Sequence, residues 1–153
     1  MSDRKKLKKE VYENAIVLIE EKISAFQKAI HDAKESRKNE TKSSVGDKYE
    51  TGRALLQSEI QRNEIQLSKT VQLKNSLYQI DMEKDYKKVE IGSLILSNRG
   101  RFFIAVGLGK IMVAEGTVFM ISLASPIGKV LLDKQAGEVV SFQGKELIIN
   151  EII

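Results

Sequence analysis

Eight residues in the first part of this chain, Tyr12, Ile16, Ile19, Ile23, Phe26, Ile30, Ala33 and Arg37, follow one another by alternating steps of four and three. All but the last are apolar. That spacing is a heptad seam, which draws one helix against another. No proline or glycine interrupts the chain from Ser2 to Ser44. A helix of about 38 residues would reach roughly 57 Å at 1.5 Å per residue. It cannot bury such a stripe alone and needs a partner. The next segment, from Lys48 to about Glu83, also lacks proline. Leu56, Ile60, Leu67, Val71 and Tyr78 give it a looser stripe, with Leu73, Leu77 and Ile80 near its end and Glu64 and Lys74 interrupting. A parallel coiled-coil dimer could use the first seam. The helix-breaking Gly46 and the short connection favour an antiparallel hairpin, with its tip near residues 43–52.

Composition then changes. Eight of the ten glycines lie at Gly92 or later, and the only proline is Pro126. We therefore expect a coiled-coil finger over residues 1–85 and a small α+β domain over 86–153. β-Branched and aromatic runs predict strands at Ile91–Leu96, Phe102–Val106, Lys110–Ala114, Thr117–Leu123, Glu138–Phe142 and Lys145–Ile152. Asn98-Arg99-Gly100, Val106-Gly107-Leu108-Gly109, Glu115-Gly116 and Gln143-Gly144 read as the turns. Ser125-Pro126 opens a short helix, with Ser125 as its N-cap and Pro126 at its first position. A small antiparallel sheet carrying that helix would bury these segments. With alternating faces, one of Phe102 and Phe103 should be core and the other half exposed.

Several function classes drop out. There is no cysteine, which removes disulfides and thiol catalysis, and one histidine, His31, which cannot furnish a two-His metal site. We read His31 as a surface helix residue. The charged N-terminus lacks the apolar core of a signal peptide. No apolar run approaches the ~18 residues of a membrane span. A cytoplasmic protein with no membrane partner is expected. The net charge of +4 and pI near 9.2 suit an anionic partner without specifying one. Arg4-Lys5-Lys6-Leu7-Lys8-Lys9 is either an arm on nucleic acid or a solvated first helical turn, frayed by the helix dipole.

Asp47 and Glu50 stand three apart where the second helix should begin. They could cap that helix, with Asp47 accepting from first-turn N–H groups. They could also hold a hard divalent cation. Two carboxylates are too few for a complete site, so a second macromolecule would have to finish it. Lys34, Arg37, Lys38, Lys42, Lys48, Arg53 and Arg62 lie nearby, either as ordinary helix solvation or as a basic surface for a nucleic-acid backbone.

Gly46-Asp47-Lys48-Tyr49-Glu50, followed far downstream by Ser125-Pro126-Ile127-Gly128-Lys129-Val130-Leu131-Leu132 and Gly137-Glu138, resembles the Gre family of bacterial transcript-cleavage factors. The resemblance covers nearly the whole chain, in motif order and spacing. It implies an antiparallel coiled-coil finger with an acidic tip and a C-terminal domain of FKBP-like fold. It implies a monomer that enters the secondary channel of RNA polymerase and stimulates cleavage of backtracked RNA without being an enzyme alone. Asp47 and Glu50 would then be the catalytic pair, sharing Mg²⁺ with the polymerase, with no cofactor on the free protein. Lys42, Lys48 and Arg53 would steer the nascent RNA 3′ end, and Ser125, Pro126, Ile127 and Gly128 would contact the polymerase. The family follows its acidic pair with Asn-Ala-Glu-Tyr, whereas this chain has Thr51-Gly52-Arg53-Ala54. A non-cleaving channel regulator of the same architecture is the alternative.

Overall fold

The computed structural model describes residues 2–40 and 46–153, with side chains at 2–39 and 50–153. Two long helices, α1 (Asp3–Glu40) and α2 (Gly46–Tyr78), precede strands β1 (Leu94–Ser97), β2 (Gly100–Ile104), β3 (Gly109–Val113) and β4 (Gly116–Ile121). Helix α3 (Pro126–Leu131) and strands β5 (Val139–Phe142) and β6 (Lys145–Ile152) complete the chain. The chain divides into two compact units. One is Leu18–Lys74, and the other joins Met1–Val17 to Asn75–Ile153.

The first unit is an antiparallel helical hairpin. Its cross-helix pairs run in opposite order: Glu20 meets Lys74 at 3.5 Å, Lys34 meets Glu64 at 3.9 Å, and Arg37 bonds Gln57. Ile30, Ala33 and Ile60 form its buried cluster, with Leu56 and Leu67 packed against them. Every residue of the expected α1 seam is buried or half-buried. The α2 seam differs from the expected one. Leu56, Ile60, Asn63, Leu67, Thr70, Lys74 and Leu77 are covered, again in steps of four and three, and the expected Leu73 is half-buried beside them. Val71 and Tyr78 lie on the exposed flank. Two of the seam's polar members are satisfied within the helix: Asn63 Nδ2 donates to the Glu59 carbonyl and Thr70 Oγ1 to the Gln66 carbonyl, while Lys74 reaches Glu20 across the hairpin. Polar residues in a seam lower stability and fix register. Asn63→Leu should therefore raise the stability of the hairpin by about 1 kcal/mol. Thermal melting reads this, and a lower melting temperature would show that Asn63 is needed where it is.

The second unit holds a six-stranded sheet in the order β3-β4-β2-β1-β6-β5. All neighbours are antiparallel except β2 and β4, which run parallel. The Val106–Gly109 turn thus does not close a hairpin, as the sequence suggested. β4 inserts between β2 and β3. Burial explains the order: Val118 and Met120 of β4 are fully covered, while Lys110 and Met112 expose β3 as an edge. That edge is blunted by α1, a common safeguard against strand addition. Glu10 accepts from the Ala114 N–H at 2.8 Å and Asn14 donates to the Met112 carbonyl at 2.9 Å.

Both faces of the sheet are occupied. One packs Phe102, Ile104, Ile95, Leu147, Ile149 and Val140 with Leu131 of α3. On the other, the start of α1 covers Phe103, whose ring lies 5.9 Å from Lys8 Nζ. Phe102 and Phe103 are accordingly both buried, correcting the half-exposed expectation.

Arg4, Lys5, Lys6 and Lys9 stay exposed on the first turns of α1, as a solvated helix start would have them, but the middle of the segment is drawn into the fold. Leu7 and Lys8 are buried, at 6% and 3% exposure. Arg4 pairs with Glu151, Lys5 with Asp85 and Lys9 with Glu13. Lys8 Nζ sits 4.2 Å from the Tyr86 ring centroid and donates to the Ile153 carbonyl at 2.9 Å. Aromatic faces attract a cation, and the carbonyl offsets part of its lost hydration.

Candidate functional site

Asp47 and Glu50 occupy positions three apart in the first turns of α2, which begins at Gly46. Asp47 is therefore inside the first turn, and the capping contact read for its side chain lies outside the described residues. Positions three apart on a helix are neighbours on its surface, and negative charge is favoured at a helix start. Glu50 and Arg53 are exposed. The side chains of Asp47 and Lys48, and Lys42 altogether, lie outside the described residues. Among the described residues, no group of three or more His, Cys, Asp or Glu is placed to hold a metal.

The cations near the tip divide by use. Lys34 and Arg37 fasten the hairpin through Glu64 and Gln57, and Lys38 lies 3.6 Å from Glu35. Exposed pairs of this kind contribute little stability. Lys34 and Lys38 nonetheless stay exposed, and only Arg37 is half-buried. Arg62 and His31 are exposed on their helices.

The loop from Ser125 to Gly128 is largely consumed by the fold. Ser125 Oγ accepts from the Gly128 N–H at 3.1 Å and donates to the Ser122 carbonyl at 2.7 Å. Ile127 packs on the core under α3, and Gly128 is buried. Pro126 alone of the four is exposed. The expected N-cap and first-position proline are both as read from the sequence.

Sequence reasoning missed two sites. Lys8 was hidden inside a run of like charges, where burial has no compositional signal. The second is a groove of three phenylalanines, Phe102, Phe119 and Phe142, which come from separate strands.

Among the described residues, no helix is long and apolar enough to cross a membrane. No protein-family model matches the chain, and no curated protein matches it. Among solved structures, the chain is similar to that of the transcription factor Gfh1, at 16% identity and a TM-score of 0.38, over 90% of this chain and 92% of that one.

Proposed function

We propose that this chain is a Gre-like transcription elongation factor that acts on RNA polymerase in the cytoplasm. The observation that carries the reading is the placement of Asp47 and Glu50. They stand together in the first turns of the second of two long, paired, antiparallel helices, where the hairpin connects. The order of the Gly46–Glu50 and Ser125–Glu138 motifs supports it. In this reading the hairpin enters the polymerase's secondary channel as a monomer. Asp47 and Glu50 bring two carboxylates to a Mg²⁺ that the polymerase holds jointly. When bound, that ion supplies charge stabilisation and an activated water for hydrolysis of backtracked RNA. Lys42, Lys48 and Arg53 attract the RNA 3′ segment by charge. The chain brings half a site, so it stimulates the polymerase's cleavage and is not an enzyme alone. The surface around exposed Pro126 contacts the polymerase, while Ser125, Ile127 and Gly128 shape that surface from within.

Thr51-Gly52-Arg53 favours a second reading, a factor that occupies the channel and regulates without cleavage. Arg53 puts a cation three residues from Glu50, and a cation beside a carboxylate competes with a metal for it.

Stalled, backtracked polymerase complexes separate the two. The wild type should shorten the RNA, and Asp47→Ala/Glu50→Ala should lower that stimulation by at least about 100-fold, as loss of a metal-binding pair does. Wild type that binds polymerase without shortening RNA selects the regulator. No binding to polymerase sinks both.

A further inference from the structure

A groove of about 460 Å³ opens on the sheet unit beside α3. Phe102, Phe119, Ile127, Phe142 and Leu147 line its walls, with Arg99 and Lys145 among its lining residues. Its volume and apolar lining fall in the range of small-ligand sites, which add a few placed polar groups to an apolar wall.

The charges in this groove are one-sided. Arg99 lies in the β1–β2 turn and Lys145 opens β6, directly opposite Phe142 in the β5–β6 register. Both are exposed, and neither makes an ion pair among the described residues. No Asp or Glu lines the groove. Elsewhere in this unit Arg4, Lys5, Lys9, Lys84, Lys88 and Arg101 face acids; Lys6, Lys87, Lys110, Lys129 and Lys134 make no ion pair among the described residues either, but none of those five lines the groove. Two unmatched cations beside an aromatic wall call for an anion with a flat apolar body.

The aromatics fit that occupant. Phe102 and Phe119 stack with centroids 5.9 Å apart at 28°. Phe119 and Phe142 remain half-buried, so part of each ring is open to a guest. Phe142 is held by the tight β5–β6 turn, where Gln143 and Gly144 take positive φ of 52° and 73°. That is the two-residue turn geometry that matches strand twist. The wall is therefore positioned before any ligand arrives. Base-on-aromatic stacking is sequence-tolerant, and a dianionic phosphate suits two cations.

We propose that this groove binds a nucleoside monophosphate, the base against Phe119 and Phe142 and the phosphate between Arg99 and Lys145. The site is independent of the hairpin tip and of the reading drawn from it.

Calorimetric titration of the full chain with AMP and UMP tests it, with adenosine and inorganic phosphate as separate arms. The nucleotides should bind with a dissociation constant on the order of 0.1–1 mM, about −5 kcal/mol. Adenosine and phosphate alone should each bind at least about tenfold more weakly, since each keeps one half of the contacts. Arg99→Gln and Lys145→Gln should each weaken AMP about tenfold and leave adenosine unchanged. Phe142→Ala should weaken AMP and adenosine together. NMR shifts should localise to 99, 142 and 145. No nucleotide binding at several millimolar overturns the proposal. So does phosphate binding that matches AMP and ignores Phe142→Ala, or a groove that takes only an acidic peptide.

Discussion

Gly128→Ala should destabilise the sheet unit by about 3 kcal/mol, the upper range for overpacking a tight site. A Cβ on Gly128 would lie 2.2 Å from the Ser122 carbonyl oxygen, 2.9 Å from Leu123 Cα and 2.9 Å from Ser125 Oγ. Two of these are main-chain atoms, which cannot turn aside as a side chain can. The Ser122 oxygen also accepts from the Ser125 N–H and from its hydroxyl. Moving it would undo the cap of α3. It would also shift Ile127 and Leu131, which α3 seats on the sheet core. Urea unfolding reads the loss, with Lys129→Ala as an exposed neighbour expected to fall within about 0.5 kcal/mol of wild type. A loss under about 1 kcal/mol for Gly128→Ala would mean that the α3 turn is looser than the contacts imply. The same result bears on function. A glycine bound so closely by its own backbone needs no partner protein to explain it.

Lys8→Glu should cost about 3–5 kcal/mol, as an uncompensated buried charge does. The carboxylate would face the Ile153 carbonyl and the negative face of the Tyr86 ring, where the ammonium now sits. Lys8→Met, by contrast, should stay within about 1 kcal/mol of wild type at pH 7. The Ile153 carbonyl keeps its bond from the Leu94 N–H at 2.8 Å, so no acceptor is orphaned. The two variants also part with pH. Burial, aided by the neighbouring charge of Lys5, lowers Lys8 from 10.5 to about 8. Asp85 and Asp81 pull the other way. Below pH 8 both folded and unfolded chains carry the charge, and its burial cost is constant. Between about 8 and 10.5 the unfolded chain holds a proton that the folded one has released. Stability from this group therefore rises with pH across that window. Tyr86 and Tyr12, both raised by burial, act oppositely. Above pH 10 the unfolded chain loses their protons first, and stability falls. The wild type should therefore gain stability from pH 8 to about 10 and then lose it, while Lys8→Met lacks the rise. Wild-type stability that is flat between pH 8 and 10 would show that Lys8 keeps its proton there.

The parts of this fold that sequence could show are those with an apolar or glycine signal. The α1 seam was legible because seven of its eight members are apolar. The β5–β6 hairpin and the α3 cap were legible because Gly144, Ser125 and Pro126 have local geometric reasons to be there. The register of α2 was not. Asn63 and Thr70 take seam positions that an apolar count skips, so the reading slid to Val71 and Tyr78. The parallel pairing of β2 with β4 was equally hidden, because strand order depends on which strands bury most and not on their order in the chain. Phe103 was misjudged for a related reason: a second cover for the sheet comes from residues far away in sequence. The place of Asp47 and Glu50 at the start of α2 was legible, because Gly46 marks the break between the two helical patterns. The groove near Arg99 was not, since its walls are assembled from four strands and a helix.

Glu10, Asn14 and the buried face of Leu7 and Val11 make the start of α1 part of the sheet unit, although it is sequentially the most distant segment. A cut at the boundary expected from sequence, between residues 85 and 86, would leave one sheet face bare and the β3 edge unguarded. In modular terms, the sheet unit is not a cassette that can be moved on its own. An exchange with another protein must transplant both ends of the hairpin, and the Leu18–Lys74 segment between them is the piece that can be swapped as an insertion.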